Sequence, residues 1–265
     1  MKTILKLLAL ALWFAAAAAN AAESGARLLT APVDPLNDDS LQRGAKLFVN
    51  YCLNCHSAKY MRYNTLTEIG LTEQQIKDNL MFATDRIGST MAVAMPAARA
   101  KAWFGVAPPD LSVEARVRGP DWIYSYLLGF YRDDKTPSGW NNLVFPNVGM
   151  PHVLWELQGS QKLVQTKFED EEKATAAAIK APGIVLVEPA GGNEYELLTL
   201  ARDTQGRMSA AAYQQAVADL VNFLDFVAEP TRVTRTHLGY IVLLFLGVLL
   251  VLVYITKREY WKDVH

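Results

Sequence analysis

The sequence predicts a mainly α-helical protein with a small β excursion and one C-terminal transmembrane helix. Apolar residues recur at helical spacing in residues 41–52. Two short apolar segments, residues 184–187 and 195–200, flank Gly191-Gly192-Asn193 in the pattern of a β-hairpin. A run without charged side chains, Leu238 to Thr256, has the length of a membrane span. These observations together predict the fold class.

The composition is that of a folded protein that does not bind nucleic acid. The chain has 265 residues, of which 51% are hydrophobic and 20% charged, so it is neither disordered nor fibrous. It has 26 basic and 27 acidic residues, a formal net charge of -1, and no long basic cluster. Because a nucleic-acid surface needs concentrated positive charge, we expect no nucleic-acid partner.

The first residues have the pattern of a secretory signal. Lys2 and Lys6 precede an apolar run from Leu7 to Phe14, and an alanine-rich stretch containing Ala19-Asn20-Ala21 follows. This pattern predicts a signal peptide over residues 1–22, cleaved at a small-residue site. A retained membrane anchor is the alternative, but the strongly apolar part is too short to span a bilayer.

The apolar run near the C-terminus predicts a membrane anchor. Its 19 residues, 238–256, would reach about 28 Å as a helix, close to the hydrocarbon thickness of a bilayer. A buried core helix is the alternative, but such helices rarely stay apolar on every face. With an exported N-terminus, we expect residues 23–232 to form an exported body and residues 257–265 a cytoplasmic tail.

Capping residues and prolines divide the body into segments. Asn37-Asp38-Asp39-Ser40 offers helix caps, which predicts a helix that runs directly into Cys52. Residues 92–109 and 137–151 contain several prolines and are expected to be mostly loop. Ser209 is expected to cap a helix that ends before the membrane.

The cysteines form one chemical motif. Cys52-Leu53-Asn54-Cys55-His56 is C-x-x-C-H, the attachment motif for c-type haem, and the chain has no other cysteine. Two thiols at this spacing can bond to the two vinyl groups on one haem edge, while the histidine supplies an imidazole nitrogen to the iron. A thioredoxin-like redox pair and half of a zinc site are the alternatives; the zinc site lacks further cysteines.

The second iron ligand would decide what such a haem can do. An open position permits peroxide chemistry, whereas methionine opposite histidine produces a closed electron-transfer centre. Position along the chain leaves five candidates: Met81, Met91, Met95, Met150 and His152. Met150 is favoured because Gly149 and Pro151 beside it suit a loop that directs one thioether at a metal, with Met95 and His152 as alternatives.

Nearly all of the chain beyond the signal segment resembles the cytochrome c1 family, the haem subunits of cytochrome bc1 complexes (ubiquinol–cytochrome c reductases). The C-x-x-C-H motif alone is shared by all c-type cytochromes, so the other blocks make the resemblance specific. The matching blocks are Asn50 to Ser57, Tyr63-Asn64-Thr65-Leu66, Ala107-Pro108-Pro109-Asp110-Leu111-Ser112 with Arg116, Gly149-Met150-Pro151, Phe223-Leu224, and Glu229-Pro230 before the anchor. Residues 160–200 match least.

The resemblance implies a c-type cytochrome body with one covalent haem c held by Cys52, Cys55, His56, Met150, Arg116, Pro108 and Pro109. The cysteines would carry the covalent bonds, and the histidine and methionine would be the iron ligands. The arginine would approach a haem propionate, a role that the neighbouring Arg118 could also fill, and the prolines would wall the pocket. His152 stands where the family pattern has a second proline.

The resemblance also implies a function in electron transfer, with no bond chemistry in this chain. The chain would pass electrons from a Rieske iron–sulfur protein to a soluble cytochrome c, in a dimeric complex with cytochrome b and membrane lipid. Its location would be the bacterial cytoplasmic membrane, with the haem domain in the periplasm. A free-standing anchored electron carrier and a haem peroxidase-like enzyme with an open sixth site are the alternatives.

Overall fold

The computed structural model describes residues 25–93 and 95–262 of the chain. The predicted signal peptide, residues 1–22, and the last three residues of the predicted tail lie outside the described residues. Contacts divide the chain into two compact units. Within the described residues, the first unit comprises residues 25–29, Gly129–His152 and Gly159–Gln205. The second comprises Thr30–Leu128, Val153–Gln158 and the chain from Gly206 onward.

The secondary structure confirms the mainly α-helical class with a smaller β portion. The helices are α1 (Asp38–Leu47), α2 (Glu73–Leu80), α3 (Ala97–Phe104), α4 (Glu114–Arg118), α5 (Pro120–Leu128), α6 (Trp155–Gln158), α7 (Glu171–Lys180), α8 (Ala210–Ala228) and α9 (Arg232–Tyr260). The strands are β1 (Ala58–Arg62), β2 (Thr90–Met91), β3 (Phe130–Arg132), β4 (Trp140–Asn142), β5 (Gln161–Phe168), β6 (Leu186–Gly191) and β7 (Glu194–Arg202). A π-helical turn, Phe48–Cys52, continues α1, and a 3₁₀ helix spans Tyr63–Ile69.

Helices α1 and α8 pack directly against each other and form the core of the second unit. The side chain of Asn37 accepts a hydrogen bond from the Ser40 N–H and caps α1, as predicted. Gly44 faces α8 so closely that a Cβ atom there would lie 2.0 Å from the Asp219 carbonyl oxygen. Below it, the rings of Phe48 and Phe223 lie 5.6 Å apart. The absence of a side chain at residue 44 therefore permits this helix contact.

A polar network ties the same two helices together. The carboxylate of Asp219, which is 2% exposed, accepts hydrogen bonds from Ser40 Oγ at 2.7 Å and Arg43 Nε at 2.6 Å. Asn222, one turn further along α8, donates to the Asp34 carbonyl oxygen at 2.8 Å and to Ser40 Oγ at 3.1 Å. These bonds satisfy polar groups that would otherwise be buried without partners. No local pattern in the sequence indicates this network.

Replacing Asp219 by alanine is expected to lower the free energy of unfolding by about 2–3 kcal/mol near neutral pH, because buried hydrogen-bond donors lose their acceptor. Burial disfavours the carboxylate, but the bonds from Arg43 and Ser40 outweigh this and lower the pKa of Asp219. The stabilisation is therefore present above the pKa of the unfolded carboxyl group and is lost as the pH falls through the lower native pKa.

Thermal unfolding of the detergent-solubilised chain and its variant, followed from pH 7 down to pH ~2.5, checks this prediction. The difference between the two midpoints should shrink at the acid end. Asp78→Ala is the control, because Asp78 is exposed and its carboxylate accepts from the Gln74 amide on the same helix. A difference between wild type and Asp219→Ala that stays constant with pH contradicts the assigned role of the carboxylate.

Helix α9 is long and apolar enough to cross a membrane. Its most apolar window has a mean hydropathy of 2.9, and none of that window is buried. The predicted span, residues 238–256, lies inside this helix, which begins earlier, at Arg232, and ends at Tyr260. At the first residue of α9, Arg232 Nη1 lies 2.6 Å from the Asp225 carboxylate of α8, so an ion pair bridges the junction of the two helices.

The first unit is built on a five-stranded sheet with the order β4-β3-β5-β7-β6. Strands β6 and β7 form the predicted antiparallel hairpin, with Gly191 and Gly192 at positive φ in the connection. Strand β5 pairs with β7 along its whole length, from Gln161 opposite Arg202 to Phe168 opposite Tyr195. The excursion is thus a sheet with a helix, α7, rather than a hairpin alone.

The start of the described chain is anchored to this excursion by one arginine. The Arg27 guanidinium donates to the carbonyl oxygens of Ala178, Ala181 and Gly183 at 2.8, 2.5 and 2.7 Å. Its backbone N–H donates to the Val185 carbonyl oxygen at 2.8 Å. These acceptors lie at and after the C-terminus of α7, where carbonyl groups lack helical partners and a positive charge is favoured.

Two segments expected to be mostly loop contain regular structure. Residues 92–109 include helix α3, and residues 137–151 include strand β4. Pro96 precedes α3 at its N-cap position, where proline is tolerated, and the alanine-rich residues that follow favour a helix. Prolines at the ends of a segment were therefore an unreliable sign of loop structure.

Candidate haem site

A single turn presents the three reactive residues of the C-x-x-C-H motif. The π-helical turn ends at Cys52, and the Leu53 N–H donates to the Phe48 carbonyl oxygen at 2.9 Å. The N–H groups of Cys55 and His56 then both donate to the Cys52 carbonyl oxygen, at 3.0 and 2.8 Å. Because α1 is packed on α8 immediately before this turn, the motif begins at a fixed place.

The two thiols of the motif lie in different degrees of burial. Burial raises the pKa of Cys52 to about 12, and it raises the pKa of the half-buried Cys55 as well. Among the residues that the structure describes, no group of three or more histidine, cysteine, aspartate or glutamate side chains could hold a metal ion. This observation disfavours the alternative of half a zinc site.

His56 has the form and the orientation that an iron ligand needs. Its Nδ1 lies 2.8 Å from the carbonyl oxygen of Pro109, which can only accept, so Nδ1 carries the proton and Nε2 keeps its lone pair. Burial lowers the pKa of His56 and favours the neutral imidazole. A metal-binding histidine usually donates its other ring N–H to such an acceptor. The donor set therefore fits a haem iron.

Two open clefts lie beside the motif. Their empty volumes, open solvent included, are about 510 Å³ and 580 Å³. Val93 and Met95 line both clefts. Cys55 and Pro108 line the first cleft, and Leu53 lines the second. The clefts thus lie beside the thiol that would be bonded, and the residues present fit a covalently attached haem.

The segment Pro108 to Ser112 is hydrogen-bonded to the chain that follows His56. The Leu111 N–H donates to the Ser57 carbonyl oxygen at 2.7 Å. In the opposite direction, the Lys59 N–H donates to Asp110 Oδ2 at 3.1 Å, and the Tyr60 N–H donates to Ser112 Oγ at 3.0 Å. The structure therefore places both prolines that were predicted to wall the pocket beside the motif. Pro108 lines the first cleft, and the carbonyl oxygen of Pro109 contacts the His56 imidazole.

Arg116 and Arg118 each pair with a carboxylate in the second unit. The Arg116 side chain is 64% exposed, and its Nη1 lies 3.7 Å from Glu229 Oε2. Arg118 Nε lies 3.2 Å from Glu114 Oε1, and its guanidinium stacks 4.6 Å from the centre of the Trp122 ring. The assignment of Arg116 to a haem propionate stays a prediction, with Arg118 as its alternative.

Met150 and His152 lie in the first unit, in the loop that follows β4. The Asn147 N–H donates to Asn141 Oδ1 at 2.8 Å, and Asn147 adopts a positive φ of 60°, so the loop that bears the half-buried Met150 has a defined shape. His152 is buried, with its ring stacked on Phe130 at 4.8 Å and edge-on to Trp140 at 5.0 Å. This aromatic packing disfavours His152 as an iron ligand, and Met150 stays the predicted ligand.

The other candidate methionines separate by burial. Met91 is fully buried in β2 and packs in the core. Met81 follows the end of α2 and is half-buried. Met95 lines both clefts next to the motif, so it is the alternative that the geometry of the second unit supports best.

Asp110 and Ser112 contact the chain after the motif, and no sequence pattern predicts these contacts. The Asp110 side chain accepts from the Ser112 N–H at 2.9 Å, a local bond typical of aspartate in turns. The tendency of aspartate to form this bond could have indicated the turn. The bonds to Lys59 and Tyr60 could not be predicted in this way, because those residues are more than forty positions away along the chain. Only the folded chain shows that these residues connect to the motif.

Comparison with known proteins shows the family of the chain. A sequence profile described as the Cytochrome C1 family matches residues 29–181 and 204–264. Cytochrome c1 of Allochromatium vinosum is 44% identical over 260 residues, 98% of each chain. A Nitrosomonas europaea protein named ammonia monooxygenase gamma subunit is 43% identical over 262 residues, 99% of each chain. Cytochrome c1 of Rhodospirillum rubrum is 31% identical over 245 residues, 84% of this chain and 81% of the other. The chain belongs to the cytochrome c1 family, the membrane-anchored, electron-transferring haem subunits of cytochrome bc1 complexes.

Proposed function

We propose that this chain carries one haem c bonded to Cys52 and Cys55, and that it accepts electrons from a Rieske iron–sulfur protein and delivers them to a soluble cytochrome c. The observation that carries the proposal is the 2.8 Å contact between His56 Nδ1 and the Pro109 carbonyl oxygen. It leaves Nε2 available to iron, next to two thiols at the required spacing and beside two clefts.

Different residues of the chain would have different roles around the cofactor. When bound, the haem supplies a one-electron couple. Cys52 and Cys55 would hold it covalently, His56 and Met150 would supply the two ligands of the iron, and Pro108 would line its cleft. With both ligands supplied by the protein, a substrate would find no free position on the iron, unlike in a peroxidase-like enzyme.

We further propose the location and the partners of the chain. Residues 1–22 would direct export, α9 would span the bacterial cytoplasmic membrane, the haem domain would face the periplasm, and residues 257–265 would lie in the cytoplasm. Cytochrome b and the Rieske protein would be its partners in a dimeric complex embedded in lipid. The export signal predicted at residues 1–22 and the long apolar helix α9 support this topology.

Purification of the full chain from native membranes in mild detergent tests the proposal. We expect an affinity-tagged chain to carry covalent haem and to elute with a b-type cytochrome and an iron–sulfur protein. Elution with haem but without these partners would favour a free-standing carrier. Elution with the other subunits of a monooxygenase would indicate that the chain is a monooxygenase subunit, as the name of its Nitrosomonas relative states. Rapid binding of carbon monoxide by the native protein would indicate an open sixth site. Each of these three results contradicts the proposal.

A further inference from the structure

The hydrogen bond to His56 depends on a carbonyl group that proline alone does not hold in place. The ring of Pro109 restricts its φ, but its ψ remains free, and rotation about ψ swings the carbonyl oxygen away from the imidazole. The position of that oxygen relative to His56 Nδ1 is therefore decided by the residues that follow Pro109 and by whatever anchors them.

Asp110 provides that anchor with both oxygens of its carboxylate. Oδ1 accepts from the Ser112 N–H at 2.9 Å and from the Ser112 hydroxyl, which holds the turn after Pro109. Oδ2 accepts from the Lys59 N–H at 3.1 Å, three residues beyond His56. The carboxylate thus connects the carbonyl-bearing turn to the short segment that carries the histidine.

The bond network closes a loop that contains the imidazole. The chain runs from His56 to Lys59, crosses to Asp110 through the carboxylate, and returns through Pro109 to His56 Nδ1. Burial disfavours the charged carboxyl group, but the bonds from Ser112 and Lys59 lower its pKa, so Asp110 stays ionised near neutral pH. A carboxylate is also the stronger acceptor for backbone N–H groups.

We propose that Asp110 is a positioning residue that holds the Pro109 carbonyl oxygen against His56 Nδ1 and thereby lowers the midpoint potential of the haem. The inference rests on the proposed ligation of iron by His56. A firm hydrogen bond at Nδ1 makes the imidazole a more basic ligand, and a more basic ligand stabilises ferric iron. A looser turn weakens the bond, so the potential rises.

Asp110→Asn tests the proposal, because it keeps the size of the side chain and removes its charge. One oxygen becomes an amide that faces N–H donors, while the Leu111 to Ser57 and Tyr60 to Ser112 bonds remain possible. In the purified complex, a redox titration of the haem absorbance should show a higher potential. At a fixed ambient potential, the ratio of reduced to oxidised haem should rise about threefold, equal to about 28 mV for one electron.

Two further variants separate positioning from general damage. Asp34→Asn is the matched control: its carboxylate also accepts from the N–H two residues on, that of Leu36 at 3.0 Å, and we expect an unchanged potential. Ser112→Ala removes only the hydroxyl bonds and should shift the potential upward by a smaller amount. The Ser112→Ala variant also tests the positioning role if the Asp110→Asn chain does not acquire covalent haem. The electron paramagnetic resonance signal of the ferric haem should shift in the same variants, because it reports the ligand field of the imidazole.

The outcomes distinguish this inference from the proposed function. Covalent haem in the wild type, with an unchanged or lowered potential in the charge-neutral Ser112→Ala variant, overturns the positioning role and leaves the electron-transfer function intact, because a rise in Asp110→Asn alone is the effect of removing a charge that lines the cleft. A wild-type chain without covalent haem contradicts the function itself. An equal rise in the Asp34→Asn control would show that the shift is not specific to this turn, which also overturns the inference.

Discussion

Replacing Met150 by leucine is expected to lower the haem midpoint potential by on the order of 0.1 V, within the range of about 0.8 V that axial ligands span. A thioether favours ferrous iron, so its loss favours the ferric state. The covalent haem should remain, because Cys52 and Cys55 do not depend on the sixth ligand. Electron transfer from the Rieske centre should be lost, since the driving force becomes unfavourable.

A redox titration and a near-infrared spectrum of the oxidised protein check this prediction. Sulfur bound to ferric haem produces a weak charge-transfer band there, which Met150→Leu should abolish. Met95→Leu is the matched control, because Met95 lines both clefts beside the motif and is the alternative thioether. If Met95→Leu removes the band while Met150→Leu retains it, the assignment of Met150 is wrong.

Replacing Gly44 by alanine is expected to destabilise the second unit by about 3 kcal/mol or more, since overpacking a rigid contact forces the backbone to move. The added Cβ atom would lie 2.0 Å from the Asp219 carbonyl oxygen and 2.6 Å from Phe223 Cβ. Neither neighbour is the flexible end of a side chain, so α1 and α8 would have to separate. Because α1 leads into Cys52, we also expect less haem to be attached.

The thermal midpoint of the solubilised chain and the amount of haem-stained protein in membranes measure both effects. Gly88→Ala is the control, because a Cβ atom at Gly88 would meet nothing within 4 Å. We expect this variant to retain the stability and haem content of wild type. Equal behaviour of the two alanine variants would show that the contact between α1 and α8 tolerates a methyl group, contrary to the geometry described above.

Structural features that depend on short stretches of the chain could be predicted from the sequence. The hairpin of β6 and β7, the caps at Asn37 and Ser209, and the apolar helix α9 all follow from short patterns of residue type, and the structure contains them. Strand β5 was missed because its residues are mostly polar and it lacks a clear alternation. It forms a strand because β7 pairs with it along its whole length. The residues of β5 alone do not show that such a partner strand exists.

The same division applies to the candidate site. The spacing of Cys52, Cys55 and His56 already predicts the chemistry, because the three residues lie within five positions of the chain and would bind one cofactor. Their sequence indicates nothing about the Pro109 carbonyl oxygen that orients the imidazole, 53 residues further on. It also indicates nothing about the carboxylate of Asp110, which was quoted for its place in a motif and for no role of its own.

The amino-acid sequence by itself determined the family and the membrane anchor and predicted the cofactor chemistry, because each follows from short blocks of residues that can be recognised one at a time. Only the tertiary structure decided how the motif is supported: the glycine contact between α1 and α8, the buried network around Asp219, and the turn that holds His56. These depend on groups that are distant in sequence and meet only after folding, so no local pattern can specify which partners they find.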